Sequence, residues 1–211
     1  MWNVCWQCGV YRSDKQIDPD GPFAVCPECG YRHPFRQLPL FLIGGASGAG
    51  KSAVCQVLLG KLPEVILLDS DILWRPEFNK PEEKYRDFFE TWLRMCKNIG
   101  QAGLPVVLFG GGMGVPENLE ACVERRYFRI LHYLALVCDD EVLVERLSQR
   151  PAWRQTHHPE FIAAHVKFNQ WFKNQAPEGS PAVELIDTTA TTIAGTSEQV
   201  TAWIRHHLEF K

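Results

Sequence analysis

Beyond residue 38 the chain alternates short apolar runs with amphipathic stretches, the pattern of strand–helix–strand units feeding a parallel sheet. Apolar runs at 40–43, 65–68, 105–109, within 129–138, and at 183–186 predict five strands. Between them, helical spacing predicts a helix opening near residue 51 and running to about 61. A second is predicted at 82–101, with Phe88, Phe89, Trp92, Leu93 and Cys96 along one face. Asp139 is placed to cap a third that ends near 150. A fourth follows Pro159 to about 175, carrying Phe161, Ile162, Val166, Phe168, Trp171 and Phe172, and a last one spans 197–210. The expectation is an α/β three-layer sandwich over 38–211 around a five-stranded parallel sheet, with no repeat or low-complexity tract.

The first 37 residues follow a different pattern, set by cysteine. Cys5 and Cys8, then Cys26 and Cys29, form two CxxC turns, each followed by glycine, with 17 residues between them. Each turn aims two thiolates at one point, and two turns supply the four soft ligands of a closed tetrahedral zinc site. So short a segment buries too little apolar surface to fold alone, and the metal would supply the folding energy. We therefore expect a zinc ribbon at 1–37; paired disulfides or a redox dithiol are the alternatives. Arg12, Lys15, Arg32 and Arg36 are balanced by Asp14, Asp18, Asp20 and Glu28, leaving no basic stripe for nucleic acid. A structural role, or docking of a protein partner, is the expectation. His33 is expected at the surface, beside the turn into the next segment.

Composition narrows the classes further. The 22 basic and 25 acidic residues nearly cancel, so no global field recruits nucleic acid or anionic lipid. No apolar run approaches the roughly 20 residues that span a bilayer, and the start lacks a signal-peptide pattern, so the expected location is the cytoplasm. The four cysteines outside the CxxC turns read as buried free thiols.

The strongest chemical signal follows the first predicted strand. Gly45, Ala46, Ser47, Gly48, Ala49, Gly50, Lys51 and Ser52 fit G-x4-G-K-[ST] at a strand-to-helix turn, the context a P-loop requires. Glycines let backbone N–H groups wrap an anion, and the helix N-terminus adds its positive dipole end. Lys51 is placed to reach the β- and γ-phosphates of ATP, and Ser52 to ligate Mg2+. No guanine-reading Asn-Lys-x-Asp follows a late strand.

With this P-loop, Asp69 and Asp71 at the end of strand two, and Gly110, Gly111 and Gly112 after strand three, residues 38–211 resemble the small-molecule kinases typified by shikimate kinase. Gluconate, phenicol and nucleoside or nucleotide kinases share that architecture. The resemblance implies that Asp69 assists Mg2+ through water and that Asp71 binds the acceptor hydroxyl and acts as its base. It implies that the three glycines bring backbone to the acceptor. Arg146 would pack on adenine and Arg150, with Arg154 as a rival, would contact the transferring phosphate, in a lid shorter than in shikimate kinase. Asp187 lies in the loop that borders the base. Tyr85, Arg86 and Glu90 echo an acceptor-binding pattern, with Arg86 as its cation. Trp74, Tyr85, Phe88, Phe89 and Trp92 form an aromatic-rich region that suits a planar ring or, at helical spacing, the core. The implied activity is transfer of the ATP γ-phosphate to a small hydroxylated acceptor or nucleotide. The alternative is an ATPase or switch whose ribbon docks a protein or nucleic acid.

Overall fold

The structure, a computed structural model, describes residues 3–209. Its N-terminal part is an antiparallel sheet of three short strands, β1 (Gln16–Asp18), β2 (Phe23–Val25) and β3 (Arg32–Pro34), beside two cysteine turns. Gly9 and Gly30 close those turns at φ 74° and 73°, a conformation that glycine adopts without penalty.

The rest is a parallel sheet of five strands: β4 (Leu40–Gly44), β5 (Ile66–Asp69), β6 (Val106–Phe109), β7 (Leu131–Val137) and β8 (Glu184–Asp187). Their spatial order is β5–β6–β4–β7–β8, with β4 central and Leu40 level with Val106 on one side and Leu131 on the other. Alternation along β4 sends Leu40 and Leu42 into one apolar layer, with Phe41 and Ile43 in the other. The first layer is closed by α2 (Arg86–Gly100) and α5 (Pro159–Asn174) through Trp92, Leu93 and Phe172. The second is closed by α1 (Lys51–Leu58) and α6 (Ile193–Glu209) through Val54, Leu58, Val200 and Ile204. Burial on both faces explains why the strands read as unbroken apolar runs. A short α3 (Pro116–Glu120) follows β6, and α4 (Asp140–Ser148) follows β7. Among the described residues, no helix is long and apolar enough to cross a membrane.

Element boundaries shift where local chemistry overrides periodicity. The helix expected from 82 begins at Arg86; before it the chain makes tight 3-10 turns at Ser70–Leu73, Pro76–Phe78 and Pro81–Glu83, the last two opened by prolines. The first helix stops at Leu58 rather than 61. The last starts at Ile193 rather than 197, because the Thr192 hydroxyl accepts from the Gly195 amide and Thr192 O from the Thr196 amide. Its predicted final residue, Phe210, lies outside the described residues. Asp139 does precede α4, but its carboxylate makes no cap bond and pairs with Lys173 at 3.5 Å.

The ribbon is seated on the α/β part rather than extended from it. Lys97 of α2 (2% exposed) donates to fully buried Glu124 at 2.6 Å and to Asn3 Oδ1 at 2.7 Å. Asn3 returns a hydrogen bond to Glu124 at 2.9 Å, and Arg94 adds another at 2.9 Å. The Lys97 ammonium also sits 4.0 Å from the centre of the Tyr127 ring, whose hydroxyl donates to Ser13 O. Glu124 is thus satisfied from both parts of the chain. Removing one partner of a buried pair leaves the other charge stranded, whereas removing both leaves an apolar contact. Lys97→Met is expected to lower stability by about 3–5 kcal/mol. Lys97→Met/Glu124→Leu should recover most of that in urea unfolding, and equal loss in both variants would show that the charge pairing is not what holds this interface.

Candidate active site

The loop from Gly45 to Gly50 joins the C-terminal end of central β4 to α1, which opens at Lys51 and Ser52. Gly45 adopts φ 133°, and a Cβ there would lie 2.3 Å from the Leu136 carbonyl oxygen, so the loop tolerates no side chain at its start. The loop walls a cleft of about 630 Å3 at the carboxyl ends of the strands, where open α/β sheets bind ligands. Lys51 Nζ donates to the carbonyls of Gly45 at 2.8 Å and Ala46 at 3.0 Å. Burial of its ammonium pulls the pKa down to about 8; Asp71 and Asp69 oppose this and Arg150 adds to it.

Each neighbouring strand end adds a group to the same cleft. After β5, Asp69 accepts from the Asp71 amide at 2.9 Å, a turn that presents the second carboxylate. Asp71 is held above the usual carboxylate range by burial and by Asp69, against the pull of Lys51 and Arg154. After β6, Gly110 and Gly111 line the cleft. From α4, Arg146 donates to Thr188 Oγ1 at 3.0 Å and to Thr188 O at 2.7 Å. Arg150 donates to Ser47 Oγ at 2.8 Å, tying the segment after α4 to the loop, and Arg154 also lines the cleft. His165 of α5 accepts the Ser47 amide on Nδ1 at 3.2 Å. Burial, with Lys51 and Arg150 nearby, drops its pKa to about 4 and keeps it neutral near pH 7.

A second cavity of about 510 Å3 adjoins the first, and Asp71 and Gly111 line both. Its walls include Trp74, Tyr85, Phe88, Phe89, Met113 and Phe168, and Gly112 contributes backbone. The five aromatics singled out in the sequence therefore divide. Trp74 is cavity wall, Tyr85, Phe88 and Phe89 serve wall and core together, and fully buried Trp92 is core alone.

No family model matches the sequence, and no curated protein matches it. Solved structures do match. A sugar kinase from Janibacter sp. HTCC2649 superposes with a TM-score of 0.58 at 15% identity, over 81% of this chain and 95% of its own. A gluconokinase from Sinorhizobium meliloti 1021 gives 0.53 at 20%, over 83% and 98%. Shikimate kinase from Acinetobacter baumannii gives 0.52 at 18%, over 82% and 96%. This chain has the P-loop kinase fold.

Within that fold, the sequence-predicted residues Lys51, Ser52, Asp69, Asp71, Arg146 and Arg150 converge on one cleft. Two do not. Asp187 is spent on the Thr189 amide at 2.7 Å and lies outside the cleft lining; Thr188, next in the chain, is the buried residue that faces inward. Arg86 donates to Cys122 Sγ at 3.5 Å and lines neither cavity, while Glu90 accepts from the amides of Val123 and Glu124. That pair fastens α2 to the following turn. His158 precedes α5 without a side-chain cap bond. His165 was not anticipated: it lies among the apolar positions of α5, and spacing alone does not distinguish it.

In the N-terminal ribbon, the four sulfurs of Cys5, Cys8, Cys26 and Cys29 lie within 4.8 Å of one another. The Cys5–Cys29 and Cys8–Cys26 separations are 3.6 and 3.9 Å, and all four are free thiols. A zinc ion bound at about 2.3 Å requires tetrahedral edges of about 3.8 Å, so the donors fit it. Burial opposes ionisation of Cys5, but the amides of Cys8 and Gln7, with His33 and the Cys29 thiol, together outweigh it and bring its pKa down to about 5. One surface expectation, that for His33, fails here. Lys15 is fully buried within reach of all four sulfurs, where its positive charge offsets a thiolate cluster. His33 is fully buried too, edge-on to Trp6 at 5.4 Å and Tyr31 at 4.7 Å.

Proposed function

We propose that this chain transfers the γ-phosphoryl group of ATP to the hydroxyl of a small acceptor. The observation that carries the proposal is the position of Asp71. It stands at the junction of a phosphate-binding cleft and a separate aromatic cavity, opposite Lys51, Arg150 and Arg154. In this reading the Gly45–Gly50 amides and Lys51 hold the phosphates, and Arg146 with Thr188 borders the base. Ser52, with Asp69 through water, would hold Mg2+, which neutralises phosphate charge when bound. Asp71, its basicity raised by its surroundings, takes the proton of the acceptor hydroxyl. The acceptor oxygen then bonds to phosphorus, the bond to the leaving oxygen breaks, and ADP departs with the electron pair. Zinc in the ribbon is assigned a structural role, because four thiolates leave no open position for chemistry.

Asp71→Asn tests the assignment. The amide keeps the shape and removes the base, so acceptor-dependent ADP release should fall about 10²–10⁴-fold while ATP affinity stays within a few-fold. Unchanged transfer would remove Asp71 from the reaction. ADP release insensitive to every acceptor, in the native chain, would instead favour an ATPase or switch.

A further inference from the structure

The aromatic cavity identifies the kind of acceptor, granted the phosphotransfer reading above. We propose that it takes an uncharged, ring-bearing alcohol, and that it selects against anionic acceptors.

The first argument is charge. Asp71 and Lys84 are the only charged residues that line the cavity among the described residues, and Lys84 is exposed at its rim. The arginine that the sequence placed there is turned toward Cys122. An anionic acceptor would therefore enter beside the Asp71 carboxylate and next to the nucleotide phosphates with no arginine in the cavity's own walls, Arg150 and Arg154 belonging to the adjoining phosphate cleft. Bidentate arginine is the common solution for holding carboxylate or phosphate, and its absence from these walls is a specificity feature. A neutral hydroxyl meets no such penalty, and can donate to Asp71.

The second argument is shape and surface. Trp74 stands over Phe88 at 5.2 Å and Tyr85 at 6.1 Å, and Phe88 packs edge-on to Phe89 at 5.6 Å. These rings make a wall suited to a planar or apolar partner, and Trp74 is left 47% exposed at the opening. Apart from Asp71 and Lys84, the polar side chains of the lining are neutral: Ser70, Asn79 and Asn118. The Asn118 amide nitrogen is engaged with Gly112 O at 2.9 Å, which leaves its oxygen to accept from a ligand. The volume of about 510 Å3 lies within the usual range for small-molecule sites.

The third argument is backbone strain. Lys84 and Tyr85 are consecutive non-glycine residues at φ 53° and 54°. Each left-handed residue costs on the order of 1 kcal/mol or more, and such outliers concentrate at ligand clamps. Here the strained pair sets Tyr85 into the cavity wall.

Calorimetric titration of the full chain with matched pairs tests this: uridine, thymidine and adenosine against their 5′-monophosphates, with chloramphenicol as a neutral non-nucleoside ring. At least one neutral ligand should bind, tenfold or more tighter than its anionic counterpart where one exists. Trp74→Ala, at an exposed position that leaves the core intact, should weaken that binding by about tenfold. A monophosphate that binds as tightly as its nucleoside, or no binding by any neutral member, overturns the inference. ADP release measured on the same ligands keeps the two readings apart. Neutral binding without transfer sinks the kinase reading and leaves the cavity assignment standing. Transfer to an anionic acceptor in preference to neutral ones does the reverse.

Discussion

Lys51→Ala is expected to reduce phosphoryl transfer by about 10²–10³-fold or more, with the fold retained. The side chain holds a positive charge against the loop that would cradle the phosphates, 2.8 Å from Gly45 O, and no other lysine lines that cleft among the described residues. Its apolar stem lies on the first turn of α1, so truncation removes a charge without opening the core. The depressed pKa adds a second, separable signature. A nucleotide anion binds the protonated ammonium, so affinity should be level below about pH 8 and fall as pH rises above it. Between pH 7 and 9 the loss should be roughly tenfold. Lys51→Arg stays charged throughout and should flatten that profile. Normal turnover in Lys51→Ala would remove the loop from the reaction, and a profile unaltered in Lys51→Arg would assign the titration to another group.

Removal of zinc should have the second large effect. Purified under reducing conditions, the chain should carry one zinc ion, released on challenge with a strong chelator plus a thiol-modifying agent. Without it, four thiolates and buried Lys15 lose the centre that organises them, and the ribbon's three short strands cannot stand alone. The damage should not stop at the ribbon. Asn3 and Ser13 hydrogen-bond to Glu124, Lys97 and Tyr127, so melting the ribbon exposes a charge pair built for a dry interface. A fall in Tm on the order of 10 °C is expected, given that each kcal/mol is worth about 2–4 °C in a chain of this size. Cys26→Ser should reproduce it. Protein that contains no zinc, and whose Tm ignores the chelator, would overturn the metal assignment.

The ribbon also illustrates how far local pattern reaches. The CxxC turns announce a four-sulfur site because each turn is complete within a few residues. Nothing local announces that Lys15 and His33 would be buried around it. Both look like surface residues until neighbouring segments cover them. The same division runs through the cleft. Arg146 and Arg150 were legible because they follow strand four at a spacing that resembles a known lid. Their anchors, Thr188 and Ser47, lie 42 and 103 residues away and become partners only when the sheet is assembled.

The sequence by itself determined the five strands, the Gly45–Gly50 loop, the Asp69–Asp71 turn and the sulfur quartet. These depend on short-range requirements: apolar periodicity, glycine at positive φ, and ligand spacing. Only the tertiary structure decided that Thr188 rather than Asp187 faces the cleft, that Arg86 stays out of the aromatic cavity, and that the ribbon rests on α2. Those outcomes turn on helix rotation and on which side chain finds a partner far along the chain. A one-residue shift along an extended segment reverses the side a group faces, so spacing alone could not choose between them.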